Sequence, residues 1–348
     1  NARLGIPINK INMNNTITSE QTHAVAETYH NWLTGLALSI ITKIGAHTAE
    51  EFIFRLFRVQ HTEKFLKGLT KLGLDNEPDA VACAKYHYFS NQLGGVSVEY
   101  FEESPTKAWI RYPPPRWIWQ DSTICAVPEN VNRAMLYGWH AQNGVTLKNP
   151  RLGFVCTGTT VEGSSGLEGF YLQYPKPLSP EQRLQFRFDL ECPLIESKTL
   201  PILNNELWPE ERKAKAYRNY AMEYLRTALP LLPKILGAEN AERVGLICAK
   251  QIGMQSYSKL KTAFEIKDLT AESFALFLKD FMTACGDKAE LKGDSVIERT
   301  FWRIFPENPS AFAEKCESLL FSGFLAAHNR FLTLKTNKLK TGTQIEIS

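Results

Sequence analysis

The residue of this chain with the clearest capacity for acid–base chemistry is His140, in the run Gly138-Trp139-His140-Ala141, because an imidazole titrates near neutral pH and serves as general base or acid. A strand-like segment, Gly153-Phe154-Val155-Cys156-Thr157, follows it closely, and a strand packed beside the His140 helix would let the imidazole raise the thiolate fraction of Cys156. Asp121 and Glu168 are the carboxylates that would orient His140 or activate a water, and Arg116 would hold a substrate carboxylate. The segment from Pro113 to Cys125 is rich in Trp, Arg and Asp. With Trp109, Tyr112, Trp117, Trp119 and Trp139 it offers aromatic walls that bury ligand surface while a few polar groups orient the ligand. Each residue also has a plainer reading. A lone helical histidine is commonly a structural hydrogen-bonding group, a cysteine is a common core residue, and two tryptophans could seal a contact between halves of the molecule.

The elements that must position these residues come twice. Ala26-Glu27-Thr28-Tyr29-His30-Asn31-Trp32 is echoed by Ala214-Lys215-Ala216-Tyr217-Arg218-Asn219-Tyr220, and Trp109-Ile110-Arg111-Tyr112-Pro113 by Trp302-Arg303-Ile304-Phe305-Pro306. Lys43-Ile44-Gly45-Ala46 is likewise echoed by Lys234-Ile235-Leu236-Gly237-Ala238, and Gly138-Trp139-His140-Ala141 by Gly323-Phe324-Leu325-Ala326, all at offsets of 185 to 193 residues. The expectation is an α+β fold of two homologous tandem domains, each of helices and antiparallel hairpins, related by a pseudo-two-fold axis. The first spans 16–174, a linker 175–208, and the second, a degenerate scaffold, 209–348. Periodicity and capping signals predict helices over Ala24–Lys43, Thr48–Leu69 and Asp79–Leu93. A hairpin over Val96–Tyr112, a helix from Pro128 to Asn143 and strands Leu152–Thr157 and Leu167–Tyr174 follow. The second copy repeats the order, with helices Glu210–Pro230, Asn240–Gln251, Ala271–Cys285 and Ser310–His328 and hairpins Lys288–Phe305 and Phe331–Ile347. A strand-like run, Leu184–Cys192, sits in the linker. The Pro113–Cys125 insertion and His140 occur in the first copy only, which makes them the place to look for specialised chemistry.

Bulk properties exclude several classes. A length of 348 residues suits two ordinary domains, and a net charge of +3 is too small to imply nucleic acid. The apolar stretch from Leu33 to Ile41 is far short of the roughly 20 residues that span a bilayer. Residues 1–15 lack a signal-peptide layout. Seven cysteines without close pairs read as reduced thiols of a cytoplasmic protein. His23 and His30 share a helix face but have no further ligand at metal-site spacing. Gly158, Gly163, Gly166 and Gly169 lie at hairpin turns, the wrong setting for a phosphate loop. No metal and no cofactor are therefore expected.

The order of elements, together with the run Gly138-Trp139-His140 through Asn149-Pro150-Arg151-Leu152 to Gly163 and Glu168, resembles the group of L-2-amino-thiazoline-4-carboxylic acid hydrolase-like proteins and vinyl-reductase-type ligand-binding domains. Those domains commonly carry a cysteine near the closing strand, where this chain has Phe170 and Tyr171. The resemblance implies hydrolysis of a small heterocycle or amide, or capture of an apolar ligand. Two readings follow: a metal-independent small-molecule hydrolase with His140 as base and Cys156 as an optional nucleophile, or a non-enzymatic binding or sensory module. The expected partner is a small-molecule ligand or substrate, with a homo-oligomer or a larger assembly as further options, and neither nucleic acid nor membrane.

Overall fold

The Thr18 hydroxyl accepts the Gln21 amide while the Gln21 side chain accepts from Thr18, a capping box that starts α1 (Ser19–Lys43). The computed structural model describes residues 17–194, 200–307 and 309–348. Along α1, Val25, Tyr29, Trp32, Leu33, Leu36 and Ile40 recur at three- and four-residue spacing and are all buried. The first half continues with α2 (Ala46–Leu72), α3 (Asp79–Leu93), β1 (Glu99–Ser104), β2 (Lys107–Tyr112), α4 (Glu129–Gly138), the single turn α5 (Asn143–Thr146), β3 (Leu152–Gly158) and β4 (Leu167–Gln173). After β5 (Leu184–Phe186) come α6 (Glu210–Leu236), α7 (Ala238–Ala263), α8 (Ala271–Cys285), β6 (Lys288–Leu291), β7 (Val296–Phe301), α9 (Ala311–His328), β8 (Leu334–Leu339) and β9 (Gly342–Ile347).

The fold is α+β. One sheet has the order β1-β2-β4-β3-β5 and the other β6-β7-β9-β8, and every pairing is antiparallel except β5 beside β3. The segment 175–208 is thus more than a tether, since its β5 extends the first sheet and its Trp208 is buried. One contiguous apolar core runs through both halves, with α1 of the first packed on α6, α7 and α8 of the second.

Three departures from expectation have physical causes. The proline stop expected at Pro230 is overridden: α6 runs to Leu236 with Pro230 and Pro233 inside it. Past Pro230, Leu231, Leu232 and Leu236 of that helix are buried. Their burial, at about 1.5 to 3 kcal/mol each, offsets a penalty of about 3 kcal/mol for each of the two prolines. The first hairpin strand pairs from Glu99, not Val96, although Val96, Val98 and Tyr100 do alternate inward as expected. The helix expected from Pro128 to Asn143 breaks at Trp139. There a Cβ on Gly138 would lie 2.7 Å from the Phe54 carbonyl and 2.8 Å from Phe57 Cβ, so only glycine lets α4 approach α2 this closely. Arg58 of α2 then donates to the carbonyls of Tyr137 and Gly138 at 2.9 and 3.0 Å. Those bonds close the helix end and turn the following residues inward.

Candidate functional site

That turn delivers Trp139 and His140 into a cavity of about 900 Å³. Its walls come from α2, α3, the β2 end and α4 of the first half and from α6 of the second, including Phe57, Tyr86, Tyr112, Met135, Tyr220 and Tyr224. The site therefore lies between the halves and not within the first one alone, because α6 packs across the open face of α2 and α3.

His140 is buried and stacks on His87 with ring centroids 4.4 Å apart. Phe154 and Tyr171 close around it at 4.5 and 6.0 Å. Neither of its ring nitrogens has a hydrogen-bond partner. Burial, then the neighbouring His87, Arg116 and His61, holds its pKa well below the ordinary imidazole range. Burial likewise brings His87 down to about 3 and His61 to about 4, so all three rings are neutral at pH 7. A polar chain crosses the cleft: Tyr220 donates to Asn91 Oδ1 at 2.8 Å, Asn91 Nδ2 donates to the Tyr112 hydroxyl at 3.3 Å, and that hydroxyl lies 2.8 Å from His87 Nδ1. The Arg116 guanidinium sits 4.4 Å over the Tyr112 ring, and its buried Nε has no partner. At the mouth, Glu223 is held by Lys64 at 2.7 Å and by Arg303 at 3.2 Å.

Of the residues singled out from sequence, Tyr112, Arg116, Trp139 and His140 meet in this cavity. The others do not. Trp109 projects from the opposite face of β2, against Val155 and Phe170, with its indole donating to Glu103 at 2.8 Å. Strand side chains alternate, so Ile110 and Tyr112 face the core and Trp109 cannot. Trp117 seals the contact between halves, stacked on His30 at 4.5 Å and tilted against Tyr224 at 5.2 Å. Trp119 donates to Asn132 at 3.1 Å and lines a separate cavity of about 140 Å³ that Asp121 also borders. Asp121 is exposed in a 3-10 turn, and Glu168 is paired with Arg111 at 3.2 Å. Neither carboxylate orients His140, since nothing hydrogen-bonds its ring. Cys156 is fully buried, bonds the Gly158 carbonyl at 3.4 Å and is pushed up to about 12 by burial. It is a core thiol and forms no thiol–imidazole pair with His140.

Comparison with protein-family models, curated proteins and solved structures returns no match. The cavity is thus read from its own residues. Sequence reasoning missed His87, Asn91, Tyr86, Tyr220, Tyr224 and Glu223. A signal for two of them was present: His87 and Asn91 stand four apart on α3, a helix whose buried face is otherwise mostly small and aromatic. Tyr220 appeared only as the counterpart of Trp32, with nothing local to mark it as a wall of a distant pocket. Among the described residues no three His, Cys, Asp or Glu side chains gather as a metal-binding group, and no helix is long and apolar enough to cross a membrane.

Proposed function

We propose that the protein is a binding or sensory module that encloses a small, largely aromatic ligand in the cleft between its halves. One observation carries this reading. Four residues on the lining of an aromatic-walled cavity of ligand size, His87, His140, Trp139 and Arg116, carry buried polar atoms that no protein group satisfies. Buried polar groups without partners are costly, and a ligand is the ordinary means of pairing them at a concave site.

Hydrolysis of a small heterocycle or amide is the second reading, supported by the neutral ring of His140, a residue on the cavity lining whose two nitrogens have no protein partner. It is weaker because no thiol or carboxylate pairs with that ring. The identical strand order of the two sheets, less the added β5, supports descent of the halves from one duplicated unit. The close approaches of Gly138 to α2 and of Gly323 to α7 support the same descent, from which a pseudo-two-fold relation of the halves would follow.

Native mass spectrometry of protein purified without denaturation tests the binding reading. The expected result is a copurifying small molecule that is lost in Ser90→Trp, which places an indole in the cavity from α3. A wild type that is empty, and that no aromatic probe enters, would remove the binding module and leave the hydrolase.

A further inference from the structure

The cleft has an excess of positive charge that the protein itself leaves uncompensated. Among the described residues no carboxylate lies within ion-pairing distance of Arg116, or of Lys67, Lys71 and Lys234 at the mouth. Of the two acids on the lining, Glu223 is committed to Lys64, Arg226 and Arg303, which leaves Glu63 against the four cations Arg116, Lys67, Lys71 and Lys234. A guanidinium with a buried, unpaired Nε costs free energy until an anion meets it.

The histidines add donors beside it. Asn91 Nδ2 donates to the His87 carbonyl at 2.8 Å, and its Oδ1 accepts from Tyr220, which fixes the orientation of the amide. Asn91 Nδ2 also donates to the Tyr112 oxygen, so the hydroxyl hydrogen of Tyr112 goes to His87 Nδ1. The neutral His87 ring then carries its proton on Nε2, which is buried and has no acceptor. His140, stacked on it, has one further N–H without a partner.

We infer that the ligand of this cleft is an oxyanion on an aromatic body, a carboxylate or a group of like geometry, received by Arg116 with the ring N–H groups of His87 and His140 while the Tyr and Trp walls enclose its rings. The inference rests on reading the cleft as a ligand site. Arg116 is the residue suited to the task, because its planar fork pairs two carboxylate oxygens at once. Charged donors and aromatic walls in one cavity divide the work, the first selecting the headgroup and the second supplying the buried area.

Two fluorescent probes that differ by one anionic group test it: 8-anilinonaphthalene-1-sulfonate and its neutral parent N-phenyl-1-naphthylamine, titrated into the wild type, Arg116→Gln, Arg116→Lys and the plugged Ser90→Trp. The expected result is that both probes bind the wild type and are excluded by Ser90→Trp, with the sulfonate tighter by about tenfold or more. Arg116→Gln should erase that preference while leaving the neutral probe bound as before, which also reports that the variant is folded. Arg116→Lys should restore part of it. Equal affinity of the two probes for the wild type, or an undiminished sulfonate preference in Arg116→Gln, overturns the anion assignment and leaves the cleft a site for neutral ligands. Failure of both probes to enter the wild-type cleft removes the ligand site and the inference with it.

Discussion

At the scale of single residues the histidines dominate the pH response. His30, His61, His87 and His140 are all held neutral by burial, with pKa values near 3, near 4, near 3 and well below the ordinary value respectively. In the unfolded chain each titrates near 6.5 and binds its proton as the pH falls, while the folded state does not. The stability they confer is therefore complete above about pH 7 and is lost as the pH drops through 6.5 toward 3. Asp287 works in the opposite sense with a single proton. Burial beside Glu317 raises it to about 7, so its burden on the fold grows as the pH rises from 4 to 7. For His140 alone the linkage amounts to about 2 kcal/mol by pH 5. Replacing it with leucine, the residue at its counterpart position 325, should give a protein that loses about 2 kcal/mol less than the wild type between pH 7.5 and 5 in urea unfolding. Identical losses in the two proteins would mean that His140 is protonated and solvated in the folded state.

At the scale of elements, α7 and α9 make the closest helix–helix crossing among the described glycines. A Cβ on Gly323 would lie 2.2 Å from the Lys250 carbonyl, and one on Gly253 would lie 2.2 Å from that of Leu320, so the two backbones touch through glycines. Helix propensity alone predicts that Gly323→Ala gains about 1 kcal/mol. The crossing predicts the reverse, a loss of about 1 to 3 kcal/mol, because neither carbonyl is a flexible group that can yield. The urea midpoint of Gly323→Ala decides the sign. Gly293→Ala, in a turn with open space around it, serves as control and should stay within about 0.5 kcal/mol of wild type. The break of α4 at Trp139 belongs to this scale too, since a straight continuation would carry His140 along the helix and not into the cleft.

At the scale of the whole molecule, the two halves share their core and are not beads on a tether. Tyr29 of α1 stacks on Phe281 of α8 at 6.4 Å, and Phe57 of α2 meets Tyr224 of α6 at 5.6 Å. Gln60 donates to the Glu223 carbonyl at 2.9 Å, and Tyr220 to Asn91 at 2.8 Å. Neither half can unfold without exposing the face it presents to the other, so guanidinium unfolding should show one cooperative transition by both tryptophan fluorescence and circular dichroism. Two separated transitions would show the interface to be too weak to couple the halves. The same packing makes the cleft a joint property, with the anion-receiving groups on the first half and a wall of tyrosines on the second.

Local pattern was enough to read the α+β class, most of the helices and strands, and the twofold recurrence of their order, because capping residues and periods of 3.6 and 2 act over a few residues. The helix Asp79–Leu93 and the strand Lys107–Tyr112 lie where the pattern places them for that reason. It also pointed to His140, Arg116, Tyr112 and Trp139, four unusual side chains in one copy. Their neighbours were beyond its reach. Whether Cys156, Asp121 or Glu168 touches His140 depends on which face of a strand looks inward and how α6 closes over α3. These are set by packing between residues more than a hundred positions apart, such as Asn91 and Tyr220. The proline-containing end of α6 shows the same limit, for there a local rule yields to burial that only the assembled core supplies.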